Sequence, residues 1–210
     1  MITDLILVLT LIVSIKGFDD YNLIERFKHS PYRVYHYHEY YRMVTSGFLH
    51  GNWMHLLVNL FVFWQFGGFV ENNIFYPLFG KLLGGFLYLM LILLSIVAGN
   101  IPSLLKYKDN PGYGSIGLSG AVSAVLFSYM LVNPWGVLYL YFVIPVYTIV
   151  MAILYLIYSQ WASRHFRDNI DHMAHFYGAL FGFFYTIAVY PEIFSFFLKQ
   201  LKEGFPLMPH

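Results

Sequence analysis

The chain has 210 residues, of which 59% are hydrophobic, 21% aromatic and 11% charged, with mean hydropathy +0.59 and formal net charge +1. Soluble domains carry about 25% charged residues, so this chain has too few ions to cover a water-facing surface and reads as an integral membrane protein. No basic run points to nucleic acid, and the absence of cysteine excludes disulfides, thiolate chemistry and Cys-ligated metals.

Stretches free of Asp, Glu, Lys and Arg run over 5–15, 43–70, 82–105, 110–163 and 172–191. A spanning helix needs about 20 apolar residues. Unbroken runs such as FLYLMLILLSIVAG lack the alternation of a membrane β-barrel. The expected fold is all-α: a polytopic bundle of six transmembrane helices near 2–17, 53–70, 82–99, 116–132, 136–159 and 171–190, forming one domain over 1–210.

The first of these, MITDLILVLTLIVSIKGF, carries Asp4 but no Lys or Arg ahead of its apolar core, and no small-residue cleavage site follows. It is expected to be a retained helix, not a signal peptide. A long connection then runs from Phe18 to Asn52, and its segment YRVYHYHEYYRMV mixes Tyr with His36, His38, Glu39 and Arg42. Such a piece suits the headgroup region.

The link from Ile101 to Ser115 ends in PGYGSIG, whose glycines let the chain fold back before helix 4 begins near Leu118. Helix 4 would end near Val132, about 22 Å long and short of a full crossing. A helix start buried below the membrane surface must be shielded by protein or line a watery cavity. The 54 uncharged residues of 110–163 are too many for one span, and the turn formers Asn133, Pro134, Trp135 and Gly136 divide them. The connection Gln160–Ile170 is placed to cap a site beside helix 6, and the tail Pro191–His210 suits the membrane surface.

Lys and Arg are unevenly shared between the two sides. Connections after helices 1, 3 and 5 hold Lys16, Arg26, Lys28, Arg33, Arg42, Lys106, Lys108, Arg164 and Arg167, against Lys81, Lys199 and Lys202 opposite. By the positive-inside rule the long first loop would face the cytoplasm.

Polar groups within spans are functional candidates, because lipid makes them costly. They are His55, Asn59 and Gln65 in helix 2, Ser119 and Ser123 in helix 4, and His172 and His175 at the head of helix 6. Ser119 lies in GLSG, where glycine-rich backbone entering a helix N-terminus offers free amides for a developing oxyanion. A nucleophilic serine needs a general base within reach. His175 lies in HxxGxxxG, where Gly178 and Gly182 would let two helices approach closely. His55 and Asn59, four apart, face the same way and present two groups able to hydrogen-bond an oxyanion. Each has a structural alternative: a serine bonded one turn back, a packing motif with an interfacial histidine, or interhelical hydrogen bonds. No neighbouring carboxylate completes a triad, so a dyad is expected.

Taken together, His55-Leu-Leu-Val-Asn59, Gly117-Leu-Ser119-Gly120 and His175-Phe-Tyr-Gly178-Ala-Leu-Phe-Gly182, in that order, resemble the signature of the rhomboid intramembrane serine proteases. GFLHGNWMH, the GGFVE ending at Glu71 and the pair Tyr41-Arg42 in the first loop are also similar, though Trp is commoner before that Arg. The resemblance implies Ser119 as nucleophile and His175 as base, with His55, Asn59, the Ser119 amide and the neighbouring Gly117 and Leu118 in oxyanion and substrate binding. It implies transmembrane protein substrates in a lipid bilayer, no metal and no cofactor. It also implies a multi-pass protein of the cell (inner) membrane with a cytoplasmic N-terminus and a site opening outward, against the charge count. One departure stands out. The family often has an aromatic residue four after the serine, stacked on the histidine; here that residue is Ser123, so Phe176, Tyr177 or another partner must orient His175.

Three other readings fit parts of the sequence: an inactive relative binding or chaperoning membrane clients, an enzyme with metal on His50, His55, His172 and His175, and a transporter. The histidine spacings recur by chance in a chain with nine histidines, no carboxylate supports a metal site, and no inverted repeat is visible.

Overall fold

Residues 1–140, 143–165 and 171–204 are described by a computed structural model. The first helix, α1 (Ile2–Asp19), starts against a carboxylate from far along the chain. Glu71, fully buried, accepts from the Ile2 amide at 2.7 Å, the Thr3 amide at 2.9 Å and the Thr3 hydroxyl at 2.7 Å. The Tyr76 hydroxyl donates to the same carboxylate. First-turn amides have no partner within their own helix, and the helix dipole favours an anion at that end, so one buried charge completes α1 and ties it into the bundle.

Glu71→Ala leaves this group of donors unpaired. We expect the unfolding free energy in detergent to fall by about 3 kcal/mol, and by less in Glu71→Gln. Denaturant titration in mixed micelles reads the difference, and an unshifted midpoint for Glu71→Ala would remove the anchoring role.

The long connection is built from three short helices, α2 (Tyr21–Phe27), α3 (Pro31–Tyr37) and α4 (Arg42–Thr45), followed by a 3-10 turn at Ser46–Phe48. Asp20 caps α2 by accepting from the Asn22 and Leu23 amides. Arg42, only 2% exposed, donates Nε to Glu39 at 2.5 Å and Nη1 to the carbonyls of Glu25 (2.8 Å) and Lys28 (3.1 Å). Arg33 adds two bonds to Glu39, at 2.9 and 2.7 Å. These charge-assisted bonds, Arg33's foremost, hold the Glu39 carboxyl down to about 2. The loop is thus stapled to itself, while Tyr35, Tyr37 and Tyr40 stay exposed.

From Trp53 the chain is helical to Tyr107, 55 residues through α5 (Trp53–Val62), a π turn at Phe63–Gly67, α6 (Gly68–Val70), a second π turn at Glu71–Phe75 and α7 (Tyr76–Tyr107). Two helices are joined here. Gly80 has φ 74° and ψ 170°, a conformation open to glycine alone, and just beyond it Gly84 lies so close to the Phe75 carbonyl that a Cβ would collide with it. The predicted link at Ile101–Ser115 starts too early. The helix runs through Pro102 to Tyr107, held where Asn100 Nδ2 donates to the Met43 carbonyl (2.9 Å) and Ser46 Oγ (3.1 Å).

α8 (Ser119–Val132) has 14 residues and begins three later than its predicted first residue, 116. It packs on α10 (His172–Val189) with backbones almost touching. A Cβ on Gly178 would fall on the Gly120 carbonyl, and one on Gly182 on the Ala124 carbonyl, while Ser128 and Thr186 hydroxyls meet at 2.7 Å. Small residues at this spacing drive helix association where lipid gives no hydrophobic force.

The fifth predicted helix, 136–159, is corrected by the structure: the bundle is mainly helical, as expected, but this segment opens with a short hairpin. β1 (Val137–Leu140) pairs antiparallel with β2 (Ile144–Tyr147) in the register Val137↔Tyr147 to Leu140↔Ile144, and only then does α9 (Thr148–His165) start. An apolar run reads equally as helix or strand. Here β-branched and aromatic residues favour extension, Pro145 disfavours helical geometry at Ile144, and the Thr148 amide and hydroxyl bond back to the Gly136 carbonyl at 2.8 and 3.0 Å. Residues 166–170, in the segment expected to cap the site, lie outside those described, as do 205–210 of the tail. The rest of the tail forms α11 (Glu192–Glu203), turned 113° from α10 after Pro191, with Ile193 and Phe197 buried.

Among the described residues, only the stretch Trp53–Tyr107 is by itself long and apolar enough to cross a membrane, and α10 with α11 qualifies as a bent pair.

Candidate active site

Ser119 opens α8, so its amide is one of the first-turn amides that the helix leaves unpaired, and the residue sits at the positive end of the dipole. The turn before it depends on Gly117, whose φ of 135° is unfavourable for any side chain. A Cβ there would also lie 2.9 Å from His55 Cε1 and 3.0 Å from His55 Nε2. The glycine therefore lets the His55 ring sit beside the serine turn. The Gly117 amide donates to the Ser46 carbonyl at 3.0 Å, which docks this turn on the end of the first loop.

His55 lies in the first turn of α5, which Asn52 caps by accepting the His55 amide at 2.8 Å. One turn on, Asn59 donates Nδ2 to the His55 carbonyl at 3.0 Å. A side-chain amide has two such hydrogens, so a second donor is left to Asn59. On α10, His175 is half-buried, and Asp171 caps that helix by accepting from the Ala174 amide at 3.0 Å while receiving the Tyr113 hydroxyl at 3.1 Å. Ser119, His175, His55 and Asn59 all line one cavity of about 670 Å³. The near contact of Gly120 with Gly178 brings Ser119 and His175, one residue before and three residues before these glycines, to the same level of the bundle.

Leu118 takes a different place from the one its motif suggested. Its side chain is buried, and its amide points to His50 Nε2 at 3.4 Å. His50 in turn meets Ser14 Oγ through Nδ1 at 2.9 Å, and Ser14 donates to the Phe48 carbonyl at 3.0 Å. Since the serine's proton goes to that carbonyl, His50 must donate Nδ1–H and accept at Nε2. Burial, with His55 close by, pushes His50 down to about 3, so it stays neutral as this chain requires. His50 thus buttresses the turn before Ser119, with its ring 4.8 Å from that of His55. The spacing of five residues between the two histidines hinted at nothing of the kind.

The first loop reaches the site as well. His29 and Ser115 exchange two backbone hydrogen bonds of 3.0 Å, and Glu25 and Lys28, paired at 2.5 Å, stand at the cavity rim. The Lys28 hydrogen bond lowers the Glu25 carboxyl. Gln65, a candidate in helix 2, lines a separate apolar cavity between α5 and the hairpin. Among the described residues, no three or more His, Asp or Glu side chains are grouped to hold a metal ion. His172, buried, stacks edge-on to His175 at 5.9 Å.

Neither Phe176 nor Tyr177 is the ring stacked on His175. Tyr155 of α9 lies parallel to it, 6.0 Å between centroids and 6° between planes. Its hydroxyl meets Ser123 Oγ at 2.5 Å. Nothing in the spacing of residues 123, 155 and 175 signals this contact.

Residues 37–192 match the family profile described as the rhomboid domain. A protein named Rhomboid-like protease 5, from Toxoplasma gondii, is 27% identical over 172 residues, covering 81% of this chain and 19% of that protein. The chain therefore spans about a fifth of the length of the curated relative it matches.

Proposed function

Because this chain belongs to the rhomboid family, whose members are integral membrane proteins, we propose that it is an intramembrane serine endopeptidase acting through a dyad of Ser119 and His175. The observation that carries the reading is the shared cavity: a serine at a helix N-terminus, a histidine on the helix packed against it, and His55 and Asn59 lining the same space.

In this mechanism Ser119 Oγ attacks the scissile carbonyl carbon as His175 takes its proton. The tetrahedral oxyanion receives hydrogen bonds from His55, from the free hydrogen of Asn59 and from the Ser119 amide. Leu118 contributes by its position, since its amide is directed to His50. The intermediate collapses, His175 passes the proton to the departing amine, and water drawn through the cavity repeats the sequence on the acyl-enzyme. Asp171, engaged at the cap of α10 and with Tyr113, is not needed as a third member. The substrates are transmembrane proteins, whose helix must unwind to expose a peptide bond.

We take the chain as one domain crossing the bilayer six times, by α1, the two helices joined at Gly80, α8, α9 and α10, in the cell (inner) membrane with the N-terminus cytoplasmic and the cavity outward. The chain lacks cysteine, so Tyr37→Cys, at a position 60% exposed in the first loop, reports orientation. An impermeant maleimide should label it in intact cells, and protection would reverse the topology.

The activity itself is tested with a fluorophosphonate probe on the purified protein. Labelling lost in Ser119→Ala and indifferent to chelator supports the protease. A protein that only binds membrane clients takes no label, and a metal-dependent enzyme loses activity to the chelator.

A further inference from the structure

We propose that Tyr155, on α9, is the positioning residue for the His175 base, and that Ser123 anchors it to the turn carrying the nucleophile. This rests on the dyad reading above and adds a residue to it from a helix that contributes nothing else to the motif.

Three observations point to it. The rings of Tyr155 and His175 are stacked at 6.0 Å and 6°, within the range where offset aromatic pairs attract. Ser123 Oγ donates to the Ser119 carbonyl at 2.7 Å, so its only proton is spent and the Tyr155 hydroxyl must be the donor in their 2.5 Å contact. The chain Tyr155 Oη–H to Ser123 Oγ–H to Ser119 C=O therefore links the partner of the base to the backbone of the nucleophile. Third, Ser119, Ser123 and Phe127 recur at four-residue spacing along one stripe of α8, and Phe127, itself buried, meets the Tyr155 ring at 6.3 Å. Tyr155 is thereby fixed at its ring and at its tip.

The arrangement explains why a small residue stands at 123. Ser123 is 1% exposed, and a ring built there would collide with the Tyr155 hydroxyl end. In this chain the ring stacked on His175 comes from α9, and the small Ser123 of α8 leaves room for it.

The test is steady-state cleavage of a fluorogenic transmembrane substrate by purified protein in lipid bicelles, with fluorophosphonate labelling in parallel. Tyr155→Leu removes stack and anchor, and we expect kcat to fall roughly 10- to 100-fold with KM unchanged, since the base is mis-set while substrate binding is not. Tyr155→Phe keeps the ring and should recover most of kcat. In the double variant Tyr155→Ala with Ser123→Tyr, an aromatic residue returns from α8, and kcat should rise above that of Tyr155→Ala alone.

Equal kcat in Tyr155→Leu and wild type would overturn the proposal. So would a Tyr155→Phe variant as slow as Tyr155→Leu, because the ring would then not be what matters. Rescue by Phe, or by the tyrosine at 123, distinguishes positioning from a general loss of fold. If wild type itself takes no label at Ser119, the dyad reading fails and this inference with it; a labelled wild type with an indifferent Tyr155 sinks the inference alone.

Discussion

Ser119→Ala is expected to lower cleavage of a membrane-embedded reporter by roughly 10⁴-fold or more, and His175→Ala by a similar factor. The two losses should not add. A serine hydroxyl is a weak nucleophile until a base takes its proton, so removing either partner removes the same step. The double variant should therefore be about as slow as each single one. Multiplied losses would mean that the two residues act in separate steps, and turnover retained in either single variant would remove the dyad. His55 and Asn59 stay in place in these variants, so the remaining catalysis measures what oxyanion donors achieve without an activated serine.

Gly178→Ala is expected to cost about as much as an oxyanion donor, on the order of 10²-fold in kcat/KM, although Gly178 is not placed among the reacting groups. The space its Cβ needs is held by the Gly120 carbonyl oxygen, Cα and carbonyl carbon. Backbone within a helix does not give as a side-chain tip does, so α8 and α10 must separate, carrying Ser119 and His175 with them. Overpacking of this kind also costs about 1 to 3 kcal/mol in stability. Gly68→Ala is the matched control: its Cβ would meet only Met1 Cε, at an ordinary 3.8 Å, and activity should not change. Full activity in Gly178→Ala would show that the helices tolerate the separation.

Several features of the site are legible in the chain because their signals are local. Four-residue spacing puts His55 and Asn59 on one side of α5. Glycines at 178 and 182 announce close packing, and Gly117 marks a turn no other residue makes easily. The short α8 follows from counting residues between PGYGSIG and Asn133. Other features carry no local signal. The fifth apolar segment hides a hairpin, since an apolar run has the same composition in strand and helix, and only the hydrogen bonds from Thr148 and Ile149 to the Gly136 and Pro134 carbonyls define where α9 begins. Glu71 reads as the end of a motif, yet it is the cap of a helix 68 residues earlier. His50 reads as a spare metal ligand, yet it is a neutral link between Ser14 and the turn at Leu118.

What the sequence alone determined is the solvent, the mainly helical architecture and which residues are candidates for the site, because hydropathy, glycine placement and residue type all act within a few residues of chain. Which residue faces which across the bundle was decided only by the tertiary structure. Amphipathic helices advertise their inner face, but α8 and α9 are apolar on nearly every side, so periodicity does not say how either is rotated. That rotation sets Tyr155 against His175, sets Ser123 beneath the tyrosine hydroxyl, and fills with a residue of α9 the place that the chain around Ser119 leaves open.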